Sequence, residues 1–313
     1  MSYSQKVEDH HKLTYSDNVQ SVAQQRKNRL RPAVTIMNGL TGEAHSVADL
    51  LGKKKYIRGS TYDRSNPRNR ADRSRRWLVR PEVIHDGDII DKADKFDMAM
   101  DPTSHLVRDS VITVERGVFD TILGIEETNT GFKIANSGIM GVATEGKRGT
   151  STTPLPTGNF IAYNYGSGGN GLSLDKLRKV KLDLNQAEFG MEDDDPFYAA
   201  ITPKQVDDLI GIAAATNQSL NAFAVEQLRS GKPTELMGFT WIATNRLPTD
   251  SNGYRLCPVW SKRNIVCGFW QDVEGQIWND TSQQNLPYYY TSVFVDCVRV
   301  EDGGVRVIRC SES

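Results

Sequence analysis

The stretch "DPTSHLVRDSVITVERGVFDTILGI", residues 101–125, carries the longest helical pattern in the chain. Asp101 suits the N-cap because its carboxylate can accept backbone N–H bonds, and Pro102 suits the first helical position. Gly124 is placed to end the helix. We predict a helix over residues 102–124, about 33 Å long. Its apolar face recurs every three or four residues: Val107, Val111, Val114, Val118 and Ile122.

Three further segments predict shorter helices. "LSLDKLRKVKLDLNQAEF" (172–189) begins after Ser173, and "TPKQVDDLIGIA" (202–213) after Thr202; both residues are suitable N-caps. "FAVEQLRSGK" (223–232) has a weaker helical pattern. Because these helices lie among runs typical of strands, the fold class is α+β.

Most strand patterns lie in the C-terminal third of the chain. The gap "EDGG" (301–304) between the last two runs predicts a hairpin. Residues 126–171 are rich in Gly, Thr, Ser, Asn and Pro, and predict loops with one strand, "FIAYNY" (160–165). The other predicted strands are "FYAAI", "LMGFTWIATNRLP", "LCPVWSKRNIVCGFW", "YYYTSVFVDCVRV" and "VRVIRC".

The segment before the long helix is polar and unusually rich in arginine. Residues 1–31 predict an arm that orders only against a partner, and "AVTIMNGL" (33–40) predicts a strand. "KKKYIRG" and "RWLVRPEVI" could form the legs of a hairpin, with residues 63–82 around its tip. In a chain of net charge −1, these twenty residues hold three acids and seven arginines: Arg64, Arg68, Arg70, Arg73, Arg75, Arg76 and Arg80.

Length and composition fit a folded protein of 313 residues with two modest domains, or one core with long appendages. No apolar run approaches the roughly 18 residues of a membrane span. The polar start shows no secretory signal, so we expect a cytosolic protein. The four cysteines lack metal-ligand spacing and are expected to be reduced, in or near the core.

No catalytic, cofactor or metal motif stands out. Gly166, Gly168 and Gly171 match G-x-G-x-x-G between a strand and a helix, which would suit a nucleotide. However, Asp175 would repel a pyrophosphate at that helix terminus, so we favour a flexible loop. The arginine-rich segment could be a solvated loop, could bind nucleic acid, or could contact an acidic protein surface.

The order of these motifs resembles that of tailed-bacteriophage major capsid proteins. The resemblance runs from "NRLRPAV" (28–34) through "RRWLVRP" and "IIDKADKFDMAMDPTSHLVRDSV" to the "ITPKQ…DL" helix and "LMGF…NRLP" strand. It ends with "YTSVFVDCVRVEDGGVRVIRC", and covers most of residues 28–310. It implies the Hong Kong 97-type fold, with an N-terminal arm (1–45) and an extended hairpin loop (46–95). A peripheral domain (96–184 and 281–313) would carry the spine helix, and an axial domain would span 185–280.

The resemblance also implies a function. Hexamers and pentamers of the chain would form an icosahedral shell around double-stranded DNA, in a virion assembled in the host cytoplasm. Decoration or cement protein, scaffold and portal are possible partners; no membrane, cofactor or enzymatic activity is expected. The alternatives are an encapsulin-like compartment and a nucleotide-dependent enzyme using the Gly166–Gly171 loop.

The hairpin loop of this fold reaches over the next subunit, so its arginines are expected to contact carboxylates there. The expected contact residues are Arg64, Arg68, Arg70, Arg73, Arg75, Arg76 and Trp77. The candidate acidic partners are Asp193, Asp194 and Asp195, or Glu115 and Asp109 on the spine helix.

Overall fold

The structure, a computed structural model, defines most of the body of the chain. The residues it describes are 27–51, 56, 71, 73–90, 103–135, 137–167, 169–191, 195–215, 235–282 and 284–312. The helix expected at 223–232, the start of the arm and the caps Asp101 and Pro102 lie outside them. Within this part of the chain, no helix is long and apolar enough to cross a membrane.

Three α-helices occur where the periodicity predicts them. Helix α1 spans Thr103–Leu123, α2 spans Leu174–Gln186 and α3 spans Pro203–Ala215. The Ser173 hydroxyl caps α2 by accepting the Lys176 N–H, as predicted. The predicted apolar face of α1 is confirmed, because Val114, Val118 and Ile122 are buried and Val107 and Val111 are half-buried.

Two sheets hold most of the core. The first contains, in order, β1 (Thr35–Asn38), β14 (Ile265–Asp280), β15 (Leu286–Arg299) and β4 (Ile84–Ile89), and α1 packs against it. The second contains, in order, β11 (Glu235–Leu236), β12 (Phe239–Ala243), β10 (Phe197–Ile201), β13 (Arg255–Ser261), β16 (Val305–Cys310) and β9 (Phe160–Ile161).

The last two strands do not form the predicted hairpin. β15 pairs with β14 and β4, whereas β16 pairs with β13 and β9 in the other sheet. The "EDGG" segment is a crossover between sheets, with a short 3₁₀ turn at Asp302–Gly304. The segment forms a turn, as the local pattern predicts, but strand pairing depends on residues that are distant in sequence.

The predicted hairpin before α1 exists, with different legs. β2 (Ala44–Leu51) pairs antiparallel with β3 (Arg73–Val79), so Arg73, Arg75 and Arg76 lie in a leg and not at a tip. Of the predicted first leg, 53–59, only Tyr56 is described, and it is not in a strand. β3 also pairs with β7 (Ala143–Glu145), which pairs with β8 (Ser151–Thr153).

The glycine-rich region contains more strand than expected. Besides β7 and β8 it holds a hairpin of β5 (Ile125–Thr128) and β6 (Gly131–Ile134), while "FIAYNY" is a strand only at Phe160–Ile161. Gly124, with φ +77°, ends α1 and lets the chain turn into β5.

The end of the predicted arm is part of the core. Leu30, Ala33 and Val34 are buried, and the Trp260 Nε1–H donates to the Ala33 carbonyl (2.9 Å). The expectation that residues up to 31 order only against a partner is therefore wrong for Leu30. The four cysteines are buried and free, as predicted.

Candidate inter-subunit contact surface

From Arg75 to Val79, the side chains of β3 alternate between two environments. Arg73 and Arg75 are exposed and Trp77 is half-exposed, whereas Arg76 and Leu78 point inward and are buried. Alternation of this kind follows from the two-residue period of a strand. The structure thus places three of the predicted residues on one outward face; Arg64, Arg68 and Arg70 lie outside the described residues.

Arg76 is committed to contacts inside its own subunit. Its side chain is 6% exposed, and its guanidinium forms ion pairs with Glu145 on β7 and with Asp302 (Nη2 to Oδ2, 3.3 Å). Its Nε–H donates to the Val300 carbonyl (3.0 Å). A guanidinium that is buried and satisfied in this way is not available to a neighbouring subunit, so Arg76 leaves the expected contact set.

Arg299 extends this buried cluster into the glycine-rich region. It is fully buried, and its Nε–H donates to Asp302 Oδ1 at 2.6 Å. Its two Nη groups donate to the carbonyls of Gly141 and, at 2.8 Å, of Thr153. Burial lowers the pKa of Arg299, and Asp302 opposes this change. Asp302 therefore bridges two inward arginines and ties the hairpin to the end of β15 and to the crossover that follows it.

A buried carboxylate anchors the end of β3. The Val79 N–H donates to Asp296 Oδ2 on β15 (2.9 Å), and the Cys297 N–H donates to Oδ1 (2.8 Å). Burial raises the pKa of Asp296 to about 6, although hydrogen bonds from Val79, Ser137 and Cys297 oppose the rise. These contacts fix where β3 crosses β15.

The outward face of β3 combines cationic and aromatic groups. The Arg75 guanidinium lies 5.5 Å from the centre of the Trp77 ring, within cation–π range. The indole N–H donates to the Gly146 carbonyl (2.7 Å), which holds the ring in place. We call Arg73, Arg75 and Trp77 the arginine face.

The predicted acidic partners are only partly described. Asp195 Oδ2 accepts hydrogen bonds from the Ser261 hydroxyl and from the Arg263 N–H (3.4 Å), while Asp193 and Asp194 lie outside the described residues. Glu115 on α1 forms an ion pair with Arg31 (2.7 Å). Asp195 and Glu115 thus already have partners within the subunit, and so does Asp109, the third described candidate, which is exposed on α1.

The G-x-G-x-x-G loop does not form a phosphate cradle in its described part. Asp175 Oδ2 accepts bonds from the Ser167 N–H (3.0 Å) and the Ser167 hydroxyl (3.1 Å), so a carboxylate occupies the N-terminus of α2. These bonds lower the pKa of Asp175, and the bond from the backbone N–H of Ser167 has the larger effect. The strand before the loop has only two residues, and Gly168 is outside the described part.

No local sequence pattern predicts the ion-pair cluster around Arg246. Arg246, from the "NRLP" segment, forms two bonds to Asp120 on α1 (2.8 and 2.6 Å) and one to Glu127 on β5 (2.5 Å). Burial lowers the pKa of Arg246, but these carboxylates raise it more. The cluster ties the segment after β12 to the long helix, more than a hundred residues away in sequence.

The long helix α1 and the β2–β3 hairpin before it are features that the resemblance implies. The family model described as phage capsid protein matches residues 7–312. The chain belongs to the phage capsid protein family. No curated protein sequence matches it.

Solved capsid structures share the fold of this capsid protein. It is similar to the capsid structure of cyanophage P-SCSP1u, at 13% identity and TM-score 0.68, over 98% of this chain and 94% of that chain. The cyanophage Pam1 capsid gives 11% identity and TM-score 0.66, over 100% and 99% of the two chains. The Ralstonia phage GP4 capsid gives 12% and 0.64, over 99% and 98%. The capsid fold is therefore shared even where the sequences differ widely.

Proposed function

We propose that this shell-forming protein builds hexamers and pentamers that enclose double-stranded phage DNA, and that its role is structural, with no reaction of its own. The observation that carries the proposal is the family match across residues 7–312. In this proposal the shell is assembled in the host cytoplasm and becomes part of the virion. Scaffold, portal and a decoration or cement protein are the proposed further partners.

The proposed division of the chain follows the resemblance. Residues 1–45 form the arm, 46–95 the extended hairpin, 96–184 and 281–313 the peripheral domain, and 185–280 the axial domain. In this division the arginine face belongs to the hairpin. We propose that Arg73 and Arg75 contact a neighbouring subunit, because arginine pairs with carboxylates in a planar, two-bond geometry.

The test is expression of the protein with its phage neighbours, followed by negative-stain microscopy and extraction of nucleic acid from nuclease-treated particles. Hollow or filled shells with protected double-stranded DNA after packaging are expected. Shells that contain protein cargo and no DNA would support the encapsulin-like alternative. A monodisperse 34.9 kDa species at high concentration, with all partners present, would contradict shell formation.

A further inference from the structure

One face of the sheet β1-β14-β15-β4 packs against α1, whereas the opposite face is buried under the β2–β3 hairpin at Asp296 and Val298 and is open only at the end around Trp278. On the α1 side, Tyr289 and Val293 are buried, and Gly117 of α1 lies directly against Ile84 of β4. The Ser110 hydroxyl of the same helix donates to the Asp86 carbonyl (3.5 Å). Since successive side chains in a strand point to opposite faces, the residues between these point away from α1.

Four rings form a continuous strip on the open face. Trp278 on β14 is directly opposite Tyr288 on β15, with ring centres 5.0 Å apart, and lies 6.0 Å from Tyr290. Tyr290 in turn stacks on His85 of β4 at 5.8 Å. Trp278 is 45% exposed, which is unusual for so large an apolar side chain. We call His85, Trp278, Tyr288 and Tyr290 the aromatic strip.

The surroundings of the aromatic strip are acidic. Glu274 and Asp280 lie on the same face of β14 as Trp278, one on each side of it along the strand. Hydrogen bonds from Ser282 lower the pKa of Asp280, so its carboxylate is charged at neutral pH. The segment 271–293 contains three acids and no lysine or arginine. The aromatic strip is therefore suited to a cationic occupant.

The arginine face of the same subunit cannot reach this strip. Val79 contacts Asp296, which is eight residues from Tyr288 along β15, or about 26 Å. From Val79 the strand β3 runs away from the strip, because Arg76 bonds to Val300 and Asp302. The arginine face and the aromatic strip thus lie toward opposite ends of β15.

We propose that the aromatic strip of one subunit receives the arginine face of a second copy of this chain. This inference rests on the proposed shell function. It identifies the surface of the neighbouring subunit that Arg73 and Arg75 would contact. Arg73 and Arg75 would lie over the electron-rich ring faces while pairing with Glu274 and Asp280. Because the two surfaces differ and lie apart on the subunit, the contact is head-to-tail, and such contacts generate rings.

Mixed cysteine crosslinking tests the contact. Subunits carrying Arg73→Cys are co-expressed with mass-tagged subunits carrying Gln276→Cys, since Gln276 is exposed on the strip face between Glu274 and Trp278. Oxidation of the particles should give a covalent heterodimer. Gln186→Cys, an exposed glutamine on α2, is the matched control and should give at least tenfold less product. Equal yields from both pairs would overturn the inference, and the buried native cysteines give the background.

A second variant tests the strip without new cysteines. Trp278→Ser should leave the unassembled subunit folded but lower the shell yield at least tenfold. Tyr165→Ser removes another aromatic side chain that is 40% exposed and should leave the yield unchanged. Normal shells from Trp278→Ser would refute the contact while leaving the capsid function intact. If Trp278 is shielded from solvent in assembled particles but the crosslink does not form, another group covers the strip, and the inference is refuted. Failure of the unmutated protein to form shells would instead contradict the proposed function.

Discussion

Two substitutions on β3, Arg76→Met and Arg75→Met, should distinguish an arginine that stabilises the folded subunit from one that does not. Arg76→Met removes a guanidinium that contacts Glu145, Asp302 and the Val300 carbonyl, while keeping an apolar stem of similar length. Arg75→Met is the matched control, because it changes the same residue type at the next position of β3, on the exposed side.

The expected loss of stability follows from burial. Breaking a buried ion pair by removing one partner typically costs about 3–5 kcal/mol. Asp302 keeps its bond to Arg299, and the Glu145 side chain is 27% exposed and can be hydrated, so the cost should lie lower, at about 2–4 kcal/mol. Arg75 is exposed and has a cation–π contact, so its replacement should cost less than about 1 kcal/mol.

Urea unfolding of unassembled subunits, followed by tryptophan fluorescence and circular dichroism, measures both values. Assembly is measured separately, by sedimentation of particles. Arg75→Glu should leave the unfolding midpoint nearly unchanged but lower the shell yield, and salt should weaken assembly of the unmutated protein.

Three results would refute this reasoning. An unchanged midpoint for Arg76→Met would show that the buried cluster does not stabilise the subunit. An equal loss for Arg75→Met would show that the two side chains are not divided between environments as described. If Arg75→Glu builds normal empty shells and loses only packaged DNA, the arginine face contacts the genome.

Three further predictions concern the body of the subunit. The raised pKa of Asp296, about 6, means that the folded state binds its proton more tightly than the unfolded state, so this residue adds about 2 kcal/mol of stability as pH falls from 7 to 4. Asp296→Asn should remove that pH dependence in urea titrations. Gly124→Ala should lower the free energy of unfolding by more than about 1 kcal/mol, because φ is +77° and a Cβ would overlap backbone atoms. Deleting residues 1–26 should leave thermal unfolding cooperative and impair assembly, whereas deleting 1–31 also removes buried Leu30 and should lower the melting temperature by several degrees.

The sequence predicts well what is determined locally. The long helix α1 was found from its apolar period and the terminal Gly124, and α2 from its cap at Ser173, because both signals lie within a few residues of the element. Strand pairing is different, since it depends on residues far apart in the chain. The "EDGG" pattern predicts a turn, and a turn is present, but no local signal shows that β15 and β16 belong to different sheets.

The predicted contact residues show the same difference between local sequence signals and contacts with distant residues. The two-residue period of a strand is enough to separate the inward arginine from the outward ones. In "RSRRWLV" the apolar Leu78 marks the inward side, and Arg76 lies on that same side. Nothing near Arg76 in sequence indicates its partners Glu145 and Asp302, which lie about seventy and more than two hundred residues away. The aromatic strip was missed because its rings come from three strands that only the fold brings together.

The two kinds of arginine on β3 suit two different requirements of a shell subunit. The hairpin must be positioned before neighbours arrive, and the inward Arg76 does this through a buried ion cluster within the chain. Contacts between subunits must be weak enough individually to be corrected during assembly, and an exposed arginine–carboxylate pair contributes only about 0–1 kcal/mol. Because a shell repeats each contact at every subunit, such small contributions accumulate only in the closed particle. A neutral chain can therefore carry a cationic strand: the charge of Arg76 is neutralised within the fold, and in the proposed contact Arg73 and Arg75 meet the acidic surface of the next copy.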